Sequence, residues 1–271
     1  MMRGPYRSPR SKPSMSDNSK EIVLVGIGEI GGVLAKGFLR LGYTIHPVIR
    51  GMRIEEKAAQ IPDPALVIVA VGEADLPTVL ANLPDTWRSR IGLLQNELLP
   101  EDWRETDNPT VISIWFEKKP GMDPKVIIPS PVFGPQSALI GEALQQVNIP
   151  TKVLADEAQL LFELVTKNLY ILTTNLAGLK TGGNVAELWK NHQSFAESVA
   201  REVIQLQQAL TGQPLDAKAL IDAMLEAFDG DPQHKCMGRS APARLERALA
   251  HARQHGLTLP QLLNLQTLAT A

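Results

Sequence analysis

The decapeptide VLVGIGEIGG, residues 23–32, places Gly26, Gly28 and Gly31 in the spacing G-x-G-x-x-G directly after an apolar run and directly before a helical pattern. In a strand–turn–helix context the first glycine permits the tight turn. The second lets backbone N–H groups approach a pyrophosphate, and the third lets helix and strand pack closely. Ile27, Glu29 and Ile30 belong to the same phosphate-binding loop. The second chemical signal is HPVIRGMR, residues 46–53, where a dinucleotide-binding chain ends its second strand. An acid at that point accepts from the 2′-hydroxyl of NAD, whereas an arginine grips the 2′-phosphate of NADP. This chain has Arg50 there and Arg53 three residues later, with no acid before Glu55, so the expected cofactor is NADP(H).

A third signal lies in LLFELVTKNLYILTTNLAGL, residues 160–179, which is apolar almost all round and so reads as a central buried helix. Lys167 and Asn175 stand out in it, because a buried ammonium or amide must be paired or aimed into a site. At about 100° per residue, Lys167, Ile171, Thr174 and Asn175 share one broad face that a single cavity could see. His251 and His255 are four apart, with His234 and Cys236 upstream, but no H-E-x-x-H or C-x-x-C accompanies them, so no metal site is assigned. Cys236 has no activating base nearby in sequence and is not taken as a nucleophile.

These residues need a scaffold, and the texture of the chain supplies an α/β one. EIVLV, YTIHPVI and ALVIVAV read as buried strands, with a helix over 29–41 between the first two. This is the rhythm of βαβ units on a parallel sheet. Further strands are expected at 91–95, 111–116 and 125–130. After about residue 150 the texture becomes helical, with helices over 155–180, 187–211, 215–228 and 241–255 and no further strand. The expected fold class is an N-terminal Rossmann-type parallel sheet followed by an all-helical part. The expected division is a tail over 1–19, a nucleotide-binding domain over 20–150 and a helical substrate or dimerisation domain over 151–271. SPVFGP, residues 130–135, reads as a rigid connector between the two.

With 271 residues, 44% hydrophobic, the chain can bury a sizeable core, and a net charge of −2 gives no field for nucleic acid or an acidic membrane. A single cysteine excludes an internal disulfide framework and suits a reducing compartment, read as the cytoplasm. The first twenty residues are rich in Pro, Ser and basic residues without an apolar run, which expects disorder rather than a secretory signal. A transit peptide and a start upstream of the true one near Met15 are the two readings of this opening.

Over most of residues 21–265 the sequence resembles the ketopantoate reductase family, two-domain reductases of the 6-phosphogluconate dehydrogenase-like type. The carrying pieces are GIGEIGG, the arginine after the second strand, LLQNELL, TKNLYILTTN, ESVAREVIQLQQALTG and AHARQHGLTLP, in that order and spacing. The resemblance implies NADPH-dependent reduction of a 2-keto acid in a cleft between the two parts. It implies Lys167 as the catalytic lysine, Asn175 and Asn96 as substrate-orienting residues, and Glu202 as a structural acid. Asn96 is also placed beside the nicotinamide, and Val71 among the cofactor-binding residues. Departures from the pattern are equally specific. A second helix asparagine is Ile171, the glycine of the QNG motif is Glu97, and the lysine ending the third apolar strand is replaced near Val71 and Gly72. The substrate-binding glutamate falls on Ser240. These changes imply a cofactor side kept and a substrate side altered, so that ketopantoate is not the expected substrate. They also keep open a non-catalytic NADP-binding sensor or scaffold. By analogy alone, a homodimer is the expected assembly.

Overall fold

The computed structural model describes residues 19–269 of the chain, so the expected tail lies almost wholly outside the described residues. The strands are β1 (Glu21–Val25), β2 (Thr44–Val48), β3 (Leu66–Val69), β4 (Ile91–Leu93), β5 (Thr110–Ile112), β6 (Phe116–Glu117), β7 (Lys125–Val126), β8 (Ser130–Phe133) and β9 (Thr151–Val153). Seven of them form one sheet in the order β2-β1-β3-β4-β5-β8-β9, and β6 and β7 form a separate antiparallel ribbon. Strands β1 to β5 run parallel; β8 is antiparallel to β5, and β9 is parallel to β8. In β3, all four residues of LVIV are buried, as a parallel strand covered on both faces requires.

The helices are α1 (Glu29–Arg40), α2 (Ile54–Gln60), α3 (Leu76–Ala81), α4 (Ser137–Gln145), α5 (Glu157–Thr181), α6 (Val185–Thr211), α7 (Ala217–Gly230), α8 (Ala241–Gln254) and α9 (Pro260–Ala269). The 25-residue α5 starts at Asp156, whose side chain accepts from Gln159 N, and stops at Gly182. It is buried along most of its length because α6, α7, α8 and α9 pack around it. Asn184 and Glu187 form a reciprocal capping box at the start of α6. The helical core includes Leu169, Leu172, Val203 and Met224, and Trp115 joins it from the sheet side, edge-on to Tyr170 at 5.1 Å.

The fold class expected from the sequence is the one observed. Details differ: α2, α3, α4 and α9 are further helices, and of the strand expected over 125–130 only Lys125–Val126 pairs, with β6, before β8 begins at Ser130. Ser130–Phe133 is a sheet strand rather than a connector, because Val132 and Phe133 pair with β5 on one side and Ser130 to Val132 with β9 on the other. A strand also follows residue 150: β9 is only three residues long, too short for a period-2 pattern to show. The segment expected as one strand over 111–116 divides between β5 and β6, since Ser113 N bonds to Pro131 O and Trp115 N to Ser130 Oγ as the chain turns away.

Candidate active site

The phosphate loop is shaped by close backbone contacts. Gly26 has φ +89°, and a Cβ there would lie 2.8 Å from Ala70 O. At Gly31 a Cβ would lie 2.6 Å from Gly26 O, so the helix can follow the strand this tightly only without a side chain. Gly28 is different: nothing comes within 4 Å of the position its Cβ would take, so its backbone faces open space. Two adjoining cavities meet at this loop. The larger, about 660 Å³, runs from Val25 to Gly28 past Arg50 and Val71 to Asp75 and Asn82. The smaller, about 300 Å³, is lined by Gly28 to Gly31, Gly72, Glu73, Asn96 and Lys167, among others. The first lies at the carboxyl ends of β1, β2 and β3, where an open α/β sheet takes the adenosine end of a dinucleotide. The second continues towards α5. A side-chain-free cradle at Gly28, a helix N-terminus and cavities of this size fit a nicotinamide dinucleotide.

Arg50 lines the larger cavity with its side chain almost fully exposed, and its Nη2 lies 3.9 Å from Asp75 Oδ2. Arg53 does not line either cavity. It precedes α2 and turns towards the acids of that helix, 3.4 Å from Glu56 and 4.0 Å from Glu55. Its expected role as a second donor is not supported by this placement. Val71 lines both cavities, and Gln95 fixes it there: Gln95 Nε2 donates to Val69 O at 2.7 Å and Val71 O at 3.1 Å.

Lys167 is the ionisable group that α5 presents to the smaller cavity. Its Nζ donates to Ile114 O and sits 4.3 Å from the centre of the Trp115 ring. Burial, with the nearby Arg244 charge as a second cause, lowers its pKa from 10.5 to about 7. A lysine so placed can hold a proton at neutral pH and release it there. Asn96 shares this cavity, and its Nδ2 donates to Glu73 Oε1 at 3.0 Å.

The rest of the expected face is not seen by the cavity. Thr174 Oγ1 donates to Tyr170 O, and Asn175 Nδ2 to Ile171 O, so the hydroxyl and the amide nitrogen are turned back on their own helix. Helices packed around α5 cover the positions beyond Lys167. Ser240, expected to face substrate, is an exposed residue preceding α8 and lines neither cavity. Glu202 acts as expected: its carboxylate accepts from Gln261 N at 2.8 Å and Leu262 N at 3.0 Å, capping α9.

Two features escaped the sequence. Lys118, between β6 and β7, pairs with Glu29 at 2.8 Å and thus offsets an acid in the phosphate loop; a two-residue strand gave no pattern to flag it. Arg244 on α8 donates from Nε to Glu97 Oε1 at 2.8 Å and from Nη1 to Asn175 Oδ1 at 3.2 Å, while its Nη2 lies 3.6 Å from Glu73 Oε1. Glu97 has φ +59°, in the left-handed region that favours glycine, and turns its side chain to Arg244 and Arg247. The acid at this motif was the available signal; its partners, about 150 residues away, were not.

Cys236 is buried with its thiol pKa pushed up to about 11, and among the described residues no group of three or more His, Cys, Asp and Glu could hold a metal. No helix of the described residues is long and apolar enough to cross a membrane.

No protein-family model matches the sequence, and no curated protein matches it. Solved structures do. A 2-dehydropantoate 2-reductase from Methylococcus capsulatus superposes with a TM-score of 0.66 at 13% identity, covering 92% of this chain and 96% of that one. A dimeric ketopantoate reductase from Staphylococcus aureus gives 0.62 at 16% identity, with 92% and 98% covered. A D-mandelate dehydrogenase bound to NADH and anilino(oxo)acetate gives 0.63 at 13% identity, with 92% and 97% covered. At these identities the likeness is one of fold, and it is the fold of the family that the sequence resembles.

Proposed function

We propose that the protein is an NADPH-dependent reductase of a small 2-keto acid, with a substrate site altered from that of ketopantoate reductases. The observation that carries this reading is that Lys167 lines the same cavity as the phosphate-loop backbone of Gly28 to Gly31. Gly26, Gly28 and Gly31, with the flanking Ile27, Glu29 and Ile30, would hold the pyrophosphate against the N-terminus of α1. Arg50 would grip the 2′-phosphate, leaving Asp75, and Val71 and Asn96 would border the nicotinamide end. The dinucleotide supplies the hydride when bound.

Lys167 then polarises the substrate carbonyl and donates a proton to its oxygen from Nζ, as the pKa of about 7 permits. Asn96 orients that oxygen with its amide, and Trp115 walls the lysine from bulk water. Asn175 acts through Arg244, to which its Oδ1 is bonded, rather than on substrate directly. Solved structures of the same fold are named as a 2-dehydropantoate 2-reductase and a D-mandelate dehydrogenase, which supports this substrate class. A homodimer, as described for the S. aureus enzyme, and a cytoplasmic setting complete the proposal.

A second reading, a dinucleotide-binding sensor without turnover, is favoured by Glu73. It places a carboxylate in the cavity near where the resemblance expects a lysine. Fluorescence titration with NADPH and NADH, followed by NADPH oxidation over a panel of 2-keto acids, separates the two. Tighter NADPH binding with turnover is expected; binding without turnover would favour the sensor, and no binding would remove both.

A further inference from the structure

Resting on the reductase reading, we propose that Arg244 is the receptor for the carboxylate of the substrate. The side chain of Arg244 is only 11% exposed, and from α8 it reaches to 3.6 Å from Glu73, standing behind that lining residue of the smaller cavity. Among the described residues, two of its five guanidinium N–H donors make hydrogen bonds, to Glu97 and to Asn175. Its Nη2 is 3.6 Å from Glu73 Oε1, too far for a hydrogen bond. That same oxygen accepts from Asn96, and Glu73 and Asn96 both line the cavity with Lys167. A partly buried fork is therefore held at its Nε and Nη1 corners while its Nη2 corner meets a carboxylate without bonding it.

This arrangement suits exchange. A substrate carboxylate that takes the Nη2 corner gains charge-assisted bonds that Glu73 does not make, and Glu73, more exposed at 37%, can swing to solvent. Lys167 then meets the carbonyl of the same substrate from α5. The helical wall is also opposite in charge to the pattern that the sequence resemblance implies: the acid expected on it is Ser240, and one turn later α8 supplies Arg244. Fixing Arg244 explains why Glu97 keeps a strained left-handed backbone.

The test is binding of oxamate, a non-reducible isostere of a 2-keto acid monoanion, to the NADPH-loaded protein. Wild type is expected to bind it. Arg244→Gln should weaken oxamate about 10- to 100-fold with NADPH affinity unchanged, Arg244→Lys should fall between, and Glu73→Gln should tighten it several-fold. Unfolding midpoints measured alongside establish that each variant is folded. If folded Arg244→Lys and Arg244→Gln bind oxamate as wild type does, or if Glu73→Gln weakens it, the carboxylate receptor is overturned while the reductase reading stands. Wild-type protein that binds NADPH but no oxamate would overturn the receptor, and absence of turnover over a panel of 2-keto acids would overturn the reductase reading with it.

Discussion

Raising the pH should switch off reduction about 3.5 units earlier than an ordinary lysine would allow. Lys167 must carry the proton it gives to the carbonyl oxygen, so the rate of reduction follows the protonated fraction. With a pKa lowered to about 7, that fraction falls tenfold per pH unit above neutrality. kcat/KM for NADPH-driven reduction should thus be about 100-fold lower at pH 9 than on its acidic plateau. An unperturbed lysine near 10.5 would leave the same profile flat across that range. The reverse oxidation needs the neutral amine and should rise over the same interval. Lys167→Arg keeps a charge that does not titrate there, so its profile should lose the break, on a plateau lowered by the different geometry of the guanidinium fork. Arg244→Gln removes the second cause of the depression and should move the break upward. Lys167→Ala should cost about 10²- to 10⁴-fold in kcat. The assay is NADPH absorbance at saturating cofactor between pH 5.5 and 9.5. A wild-type profile flat to pH 9.5, or a break that survives in Lys167→Arg, would refute the assignment of the proton donor.

Three other outcomes follow from single contacts. Arg50→Asp should invert the cofactor preference, weakening NADPH about tenfold or more and improving NADH, as read by fluorescence titration; an unchanged ratio would show that Arg50 does not meet the 2′-phosphate. Gly31→Ala places a methyl group 2.6 Å from Gly26 O, so the loop must shift, and both dinucleotides should bind at least tenfold more weakly with the fold kept by circular dichroism. Glu202→Ala removes two charge-assisted bonds at the start of α9 and should cost about 2–4 kcal/mol in denaturant unfolding, with cofactor affinity unchanged below the transition.

Local signals were legible and long-range ones were not. GIGEIGG between a strand and a helix sufficed for the loop, since its glycines answer to backbone geometry within a few residues. Lys167 was legible because an ammonium in an apolar helix demands an explanation. The direction of Arg53 was not legible, because a position after β2 does not specify where a side chain turns, and two acids in the first turn of α2 pair with it. Asn175 was legible as a buried amide that needs a partner, but not that the partner is Arg244, and Ser240 was placed by counting along the resemblance, which says nothing of which neighbour a side chain bonds. The most consequential pairing, Arg244 with Glu97 and Glu73, joins α8 to the ends of β3 and β4 and could not be read from spacing in the chain. The short β9, α2 and α3 are set by the sheet order and the crossovers rather than by a periodic pattern of their own.

The most direct measurement is NADPH oxidation over a panel of 2-keto acids by wild type and Lys167→Ala, each first shown to bind NADPH with the same affinity. The account predicts turnover of at least one panel member by wild type and a loss of 100-fold or more in the variant. Equal turnover by the two proteins would contradict it.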